Sequence, residues 1–140
     1  MEFDLEGLHV YFPYEHIYPE QLEYMRELKA SLDACGHCLL EMPTGTGKTA
    51  ALLSLITSYQ RAHPSLEDPQ HIGKLIYCTR TVPEMTKCVA ELKEVAKFLE
   101  SRTVEKVPFL GVCLSSRRNL CINPDVMNLE IRHDIDSACQ

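Results

Sequence analysis

Two short stretches of this 140-residue chain carry residue types that could do chemistry, and they abut within residues 34 to 56, ACGHCLLEMPTGTGKTAALLSLI. The first is Cys35-Gly36-His37-Cys38. Two thiols at this spacing suit disulfide exchange when a strand precedes them and the N-terminus of a following helix activates the leading sulfur. The second runs Pro43-Thr44-Gly45-Thr46-Gly47-Lys48-Thr49. Glycines ahead of a Lys-Thr pair let successive backbone N–H groups turn inward around phosphates. The lysine then reaches the β and γ phosphates, and the hydroxyl binds Mg²⁺. The strict form of that pattern has a glycine where this chain has Met42.

The elements that would position these groups decide between them. In 19–33, PEQLEYMRELKASLD, Leu22, Met25, Leu28 and Leu32 recur three or four apart. Pro19 stands in the opening turn and Gly36 just past the end, so the spacing predicts an amphipathic helix. CLLEM at 38–42 predicts a short buried strand, and Leu52, Leu55, Ile56 and Tyr59 then keep helical period until Pro64. KLIYC at 74–78 predicts a second strand, followed by a helix to about residue 100 that opens on a capping box at Thr81-Val82-Pro83-Glu84. FLGVC at 109–113 predicts a third strand, and beyond residue 114 no period is sustained, which predicts loop. Short apolar strands alternating with amphipathic helices predict an α/β fold with a parallel sheet covered on both faces, ligands sitting beyond the carboxyl ends of its strands.

This order favours the phosphate loop. A helix precedes Cys35 to Cys38 and a strand follows, the reverse of the redox arrangement. A zinc site from Cys35, His37 and Cys38 lacks a second ligand pair at a recognisable spacing. Bulk properties agree with an ordinary globular domain: 45% hydrophobic and 24% charged residues, with no apolar run long enough for a membrane span and no secretory-type start. Seven cysteines in such a chain read as thiols or metal ligands in a reducing, intracellular setting. A net charge of -6 excludes broad, nonspecific attraction to nucleic acid, so phosphate contacts must be local.

Four segments, YFPYEHIYPEQLEYMRELKASLDA, LEMPTGTGKT, LIYCTRTVPEM and PFLGVCLSSRRNLC, closely resemble in order and spacing the start of the xeroderma pigmentosum group D (XPD) family of superfamily 2 iron-sulfur DNA helicases. The resemblance runs from about residue 3 to 139. It implies an incomplete RecA-like P-loop NTPase sheet over 1–114, the ATP-binding part of motor domain 1, running into the loop-rich start of an iron-sulfur insertion at 115–140. It implies ATP and Mg²⁺ held by Met42, Pro43, Thr44, Gly45, Thr46, Gly47, Lys48 and Thr49, with Lys48 and Thr49 as the catalytic pair. Pro19-Glu20-Gln21 matches the family's adenine-reading element, and a Gln amide offers the donor and acceptor that N7 and N6 of adenine require.

Arg80 and Thr81 match a motif that touches single-stranded DNA, although Thr81 is as well read as a plain N-cap. Arg117 and Arg118, just before Cys121, stand either to offset the charge of the family's cluster or to touch DNA. Cys121 and Cys139 match two of the four ligands of a [4Fe-4S] cluster, which needs four thiolates. The family's whole enzyme is an ATP-driven 5′-to-3′ helicase of single-stranded and forked DNA. In eukaryotes it is nuclear and works with the other TFIIH subunits in nucleotide excision repair and transcription; no membrane partner is implied. No Asp-Glu-Ala-His strand follows residue 114, so the chain reads as an N-terminal fragment, inactive by itself. The competing readings are a sibling iron-sulfur helicase, a truncated module that binds a partner without catalysis, and a small P-loop kinase or GTPase.

Overall fold

The computed structural model describes residues 1–43, 45–103 and 109–138, leaving out the side chains of residues 117, 118, 132 and 136. The expectations placed on Thr44, Cys139 and the Arg117 side chain lie outside the described residues. Two compact units follow each other, Met1–Phe109 and Leu110–Gln140.

The first unit opens with a hairpin that helical periodicity does not anticipate. β1 (Glu2–Leu5) pairs antiparallel with β2 (Leu8–Tyr11), Leu5 opposite Leu8. The two turn residues, Glu6 and Gly7, have φ of 53° and 85°. Positive φ at both positions gives the turn whose twist matches that of paired strands. Leu8, Val10 and Phe12 are buried while His9 between them is exposed, the period of a half-buried strand.

Three helices stand where the apolar spacing predicts them: α1 (Pro19–Asp33), α2 (Lys48–Ala62) and α3 (Val82–Arg102). α2 is the centre of the unit. Its run from Ala50 to Tyr59 is buried almost all round, as expected of a helix apolar on most faces. Ala50, Ala51, Leu55 and Tyr59 meet the hairpin and Met25 of α1, while Leu53 meets Val95 and Leu99 of α3. The Ser58 hydroxyl accepts the Tyr11 N–H at 3.1 Å, fixing β2 to the helix.

The expected parallel sheet is not among the described residues. Their one ladder is the β1–β2 hairpin, and 38–42, 74–78 and 109–113 carry no strand pairing. Apolar content gave these runs strand character, but a strand exists only where a neighbouring chain accepts its N–H groups. Here Leu39 is 99% and Ile76 83% exposed, so no second layer covers them. The fold is mixed α and β with a two-stranded sheet.

The second unit is less loop-rich than expected, because its described residues 115–138 hold three short helices: α4 (Arg117–Leu120), α5 (Pro124–Met127) and α6 (Arg132–Ala138). Asn123 caps α5 by accepting the Asp125 N–H at 3.0 Å, with Pro124 at the first helical position. Among the described residues of this unit Val126 and Ile135 are buried. One or two turns are too few to display a helical period, which is why composition read as loop.

Candidate functional site

The sequence-predicted residues are best followed from the two helix N-termini that hold them. Pro19 restrains the residue before it to extended backbone, and Tyr18 lies at φ -78°, ψ 148°. The Tyr18 carbonyl accepts from Gln21 N–H (3.0 Å) and Leu22 N–H (3.1 Å). The Gln21 side chain folds back so that Oε1 accepts the Tyr18 N–H at 3.0 Å. The other end of that amide points away from α1, and Nε2 donates to the carbonyl of Gly47 at 3.4 Å. Gln21 is only 4% exposed, so one buried amide bridges the openings of α1 and α2.

Gly47 is the N-cap of α2, and its carbonyl also accepts the Ala51 N–H at 3.1 Å. Gly45 and Gly47 have φ of 83° and 76°. Both lie in the left-handed region where only glycine is at ease. Gly47 is constrained twice over, because a β-carbon there would collide with the Gln21 amide nitrogen. Between them the Thr46 hydroxyl donates to the Pro43 carbonyl at 2.7 Å, closing a tight turn. Met42 is buried, whereas Pro43 and both glycines are exposed.

Lys48 and Thr49, half-exposed, are the first two residues of α2. The opening N–H groups of a helix have no intrahelical acceptor, and the helix dipole adds positive potential there. Among the described residues no side-chain bond engages Lys48 Nζ or the Thr49 hydroxyl. An exposed turn with two left-handed glycines, an unpaired ammonium, a hydroxyl and unpaired N–H groups form a donor set that fits a phosphate chain with its metal.

The remaining candidates do not join this cluster. Thr81 caps α3, its hydroxyl accepting from Glu84 N–H at 3.4 Å, and the Glu84 carboxylate reaches the Arg80 N–H at 3.2 Å, one residue short of a reciprocal box. The Arg80 guanidinium is solvent-exposed, 3.8 Å from Glu84. The Thr81 hydroxyl still has a proton to donate, so a cap and a phosphate contact can coexist there. Cys121 is a half-exposed free thiol in the second unit. Among the described residues no three His, Cys, Asp or Glu side chains gather as a metal site, so the donors present do not fit a four-thiolate cage.

Cys35 and Cys38 are both exposed, and they follow a helix end rather than precede a helix start. Cys35 itself takes the left-handed position at φ 49°, with Cys35 N–H on Leu32 O (2.9 Å) and Gly36 N–H on Ser31 O (2.9 Å). That is a Schellman closure with the expected glycine one residue late. The signal for the missed bridge between Gln21 and Gly47 was present only as two separate motifs, since their 26-residue separation carries no periodicity.

Comparison with known proteins agrees with the resemblance. The family profile DEAD_2 matches residues 77–140. The General transcription and DNA repair factor IIH helicase subunit XPD of Arabidopsis thaliana is 54% identical over 140 residues, all of this chain and 18% of that protein. The corresponding subunit of Dictyostelium discoideum is 50% identical over 141 residues, all of this chain and 17% of that protein. Regulator of telomere elongation helicase 1 of Mus musculus is 30% identical over 170 residues, 97% of this chain and 13% of that protein. The chain thus spans less than a fifth of the length of these relatives.

Proposed function

The chain is a homologue of the XPD helicase subunits along its full length, and from that premise we propose that residues 1–114 are the nucleotide-binding opening of a motor domain in an ATP-dependent 5′-to-3′ DNA helicase. The fall from 54% to 30% identity between the XPD subunits and the telomere helicase favours the former over a sibling. The observation that carries the reading is the Gln21 amide bonded to Gly47, because it sets a base-reading group beside a phosphate-binding turn.

In this reading the backbone of 42–47 and the N-terminus of α2 hold the triphosphate. Lys48 neutralises its outer phosphates, and Thr49 contributes a hydroxyl to Mg²⁺. ATP supplies the phosphoryl group whose hydrolysis drives movement. Gln21 is engaged at both ends and buried, so it meets adenine with its remaining N–H and lone pair once the turn around Gly47 opens. We read 38–42, 74–78 and 109–113 as strands of a parallel P-loop sheet, a reading supported by their apolar composition and, for the last run, by the family match over 77–140. Arg80, Thr81 and Arg117 are the contacts to single-stranded or forked DNA, and the working partners are other subunits of factor IIH in the nucleus. Cys121 and Cys139 supply at most two thiolates, so no step here is routed through an iron-sulfur cluster.

Calorimetric titration of the 140-residue chain with ATP and Mg²⁺ tests this. Lys48→Ala removes a charge-assisted contact and weakens uptake by about a hundredfold, with the thermal melt unchanged. Equal affinity in both chains contradicts the assignment.

A further inference from the structure

The thiols of Cys35 and Cys38 take no part in the proposed function, yet both are exposed in the link from α1 to the phosphate turn. The fold fixes how far that link must reach. Gln21 bonds to Gly47 at the openings of α1 and α2, and Asp33 bonds to Tyr59 twelve residues further along each helix. The two helices therefore run side by side in the same direction. At about 1.5 Å per residue that span is about 18 Å, and the chain must travel back over it from Cys35 to Pro43. Eight residues drawn out reach about 26 Å, which leaves about 8 Å to spare. The two thiols are held differently within this link. Cys35 has its N–H on Leu32 O, the following N–H on Ser31 O, and its Sγ 3.9 Å from the Pro69 carbonyl. From His37 to Met42 no hydrogen bond is made among the described residues.

We propose that Cys35 and Cys38 form a reversible disulfide that governs the affinity of the phosphate turn. The proposal rests on the reading of 42–49 as the phosphate site. No helix N-terminus is needed, because the pair regulates and does not catalyse. The oxidant is a small-molecule disulfide, oxidised glutathione. The Cys38 thiolate attacks one of its sulfurs and expels a glutathione thiolate; the Cys35 thiolate then attacks the Cys38 sulfur and expels the second. Two protein thiols are oxidised, one disulfide is reduced, and the two thiol protons end on the two glutathiones. Closure brings Cα atoms that stand about 10 Å apart when drawn out to about 6 Å. About half of the spare length is lost. The shortened link pulls on Pro43, whose carbonyl accepts the Thr46 hydroxyl, and the turn ahead of Gly47 opens.

The test uses the 140-residue chain equilibrated in glutathione redox buffers, with ATP and inorganic tripolyphosphate as probes. Peptide mapping by mass finds the bridge between Cys35 and Cys38, and calorimetry gives both probes about tenfold weaker binding to the oxidised chain. Linkage requires the converse, so saturating ATP shifts the thiol–disulfide equilibrium toward thiols by the same factor of about ten. Cys35→Ser and Cys38→Ser each bind ATP like the reduced parent in every buffer. An oxidised chain that binds ATP as tightly as the reduced one overturns the proposal, as does a pair that stays reduced in the most oxidising buffer. Loss of ATP affinity on oxidation of either serine variant assigns the effect to other cysteines and overturns it too. In these cases the reduced chain still takes up ATP, and the phosphate site stands. A reduced chain that takes up neither probe removes the phosphate site, and the switch with it.

Discussion

The two ends of α2 are built from the same helix and do opposite things with their polar groups. At the C-terminal end, Tyr59 is fully buried and its hydroxyl donates to Asp33 at 2.9 Å, while Lys29 Nζ donates to the other oxygen of that carboxylate at 2.6 Å. One turn on, the His63 ring lies against Tyr59 with centroids 4.6 Å apart, and its Nδ1 is 2.8 Å from the Asp68 carboxylate. His71 Nδ1 in turn meets the His63 carbonyl at 2.8 Å. At the N-terminal end Lys48 and Thr49 stand half-exposed beside two left-handed glycines. Both ends tie α1 to α2, one through Tyr59 and Asp33 and the other through Gln21 and Gly47, but among the described residues only the second leaves a lysine and a hydroxyl without side-chain bonds. Polar side chains paired across two elements thus mark architecture at one end, and the helix-start donors left unpaired at the other are the ones we propose for phosphate.

Substitutions on a common scale of unfolding free energy can break that comparison. The largest effect falls at the closed end. Tyr59→Ala removes a fully buried ring, for a loss of about 4 kcal/mol. That is a large share of a domain's total stability and is read from the denaturant midpoint. A loss under about 1 kcal/mol would mean that this end is not the anchor.

Gly47→Ala comes next and sharpens the comparison, because it lies where the open end touches the core. A left-handed L-residue costs about 1–2 kcal/mol, and the new β-carbon displaces the buried Gln21 amide from Gly47 and Tyr18. The expected loss is about 2 kcal/mol, accompanied by weaker ATP uptake, whereas Lys48→Ala loses uptake alone. Stability unchanged in Gly47→Ala would show that Gln21 is free to leave and does not bridge the two helices.

These particulars show how much was legible in the sequence. The helices α1 to α3 were, since each runs four turns or more and repeats its apolar spacing. The left-handed turn at Gly45 and Gly47 and the helix start at Lys48 were as well, because positive φ is encoded in the glycines themselves. The β1–β2 hairpin was encoded too, in Glu6-Gly7 and the alternation of Leu8, Val10 and Phe12, but over so few residues that helical periodicity does not register it. The runs at 38–42, 74–78 and 109–113, expected as strands, pair with none among the described residues, for the opposite reason. Leu39 and Ile76 look like core residues by type, and only a neighbouring strand makes them so. The Tyr59 to Asp33 bond and the Gln21 to Gly47 bond each join residues 26 positions apart. Such contacts belong to the packing of α1 on α2 and leave no local trace.

The smallest expected effect separates the carboxylates of the closed end. Burial alone would raise the Asp33 carboxyl, but hydrogen bonds from Lys29 and Tyr59 and the Lys29 charge outweigh it and hold it below its usual value. A carboxyl depressed in the folded state contributes stability that is fully present above its unfolded pKa of about 3.9, and that stability is lost as pH falls through the folded value. Asp68 is lowered as well, by the Gln70 N–H first and His63 second, so acid unfolding of the parent chain alone cannot assign the loss. Tyr59→Phe can, because it keeps the ring and the Asp68 contacts and deletes only the bond to Asp33. At pH 7 the variant is less stable by about 1 kcal/mol. That gap narrows as acid neutralises Asp33, since a protonated carboxyl is a weaker acceptor for the Tyr59 hydroxyl. Denaturant midpoints for both chains from pH 7 down to pH 3 would show the two curves converging. A gap that stays constant across that range would mean that the hydroxyl contributes independently of the Asp33 charge, and the absence of any gap at pH 7 would mean that packing of the ring alone holds the closed end of α2.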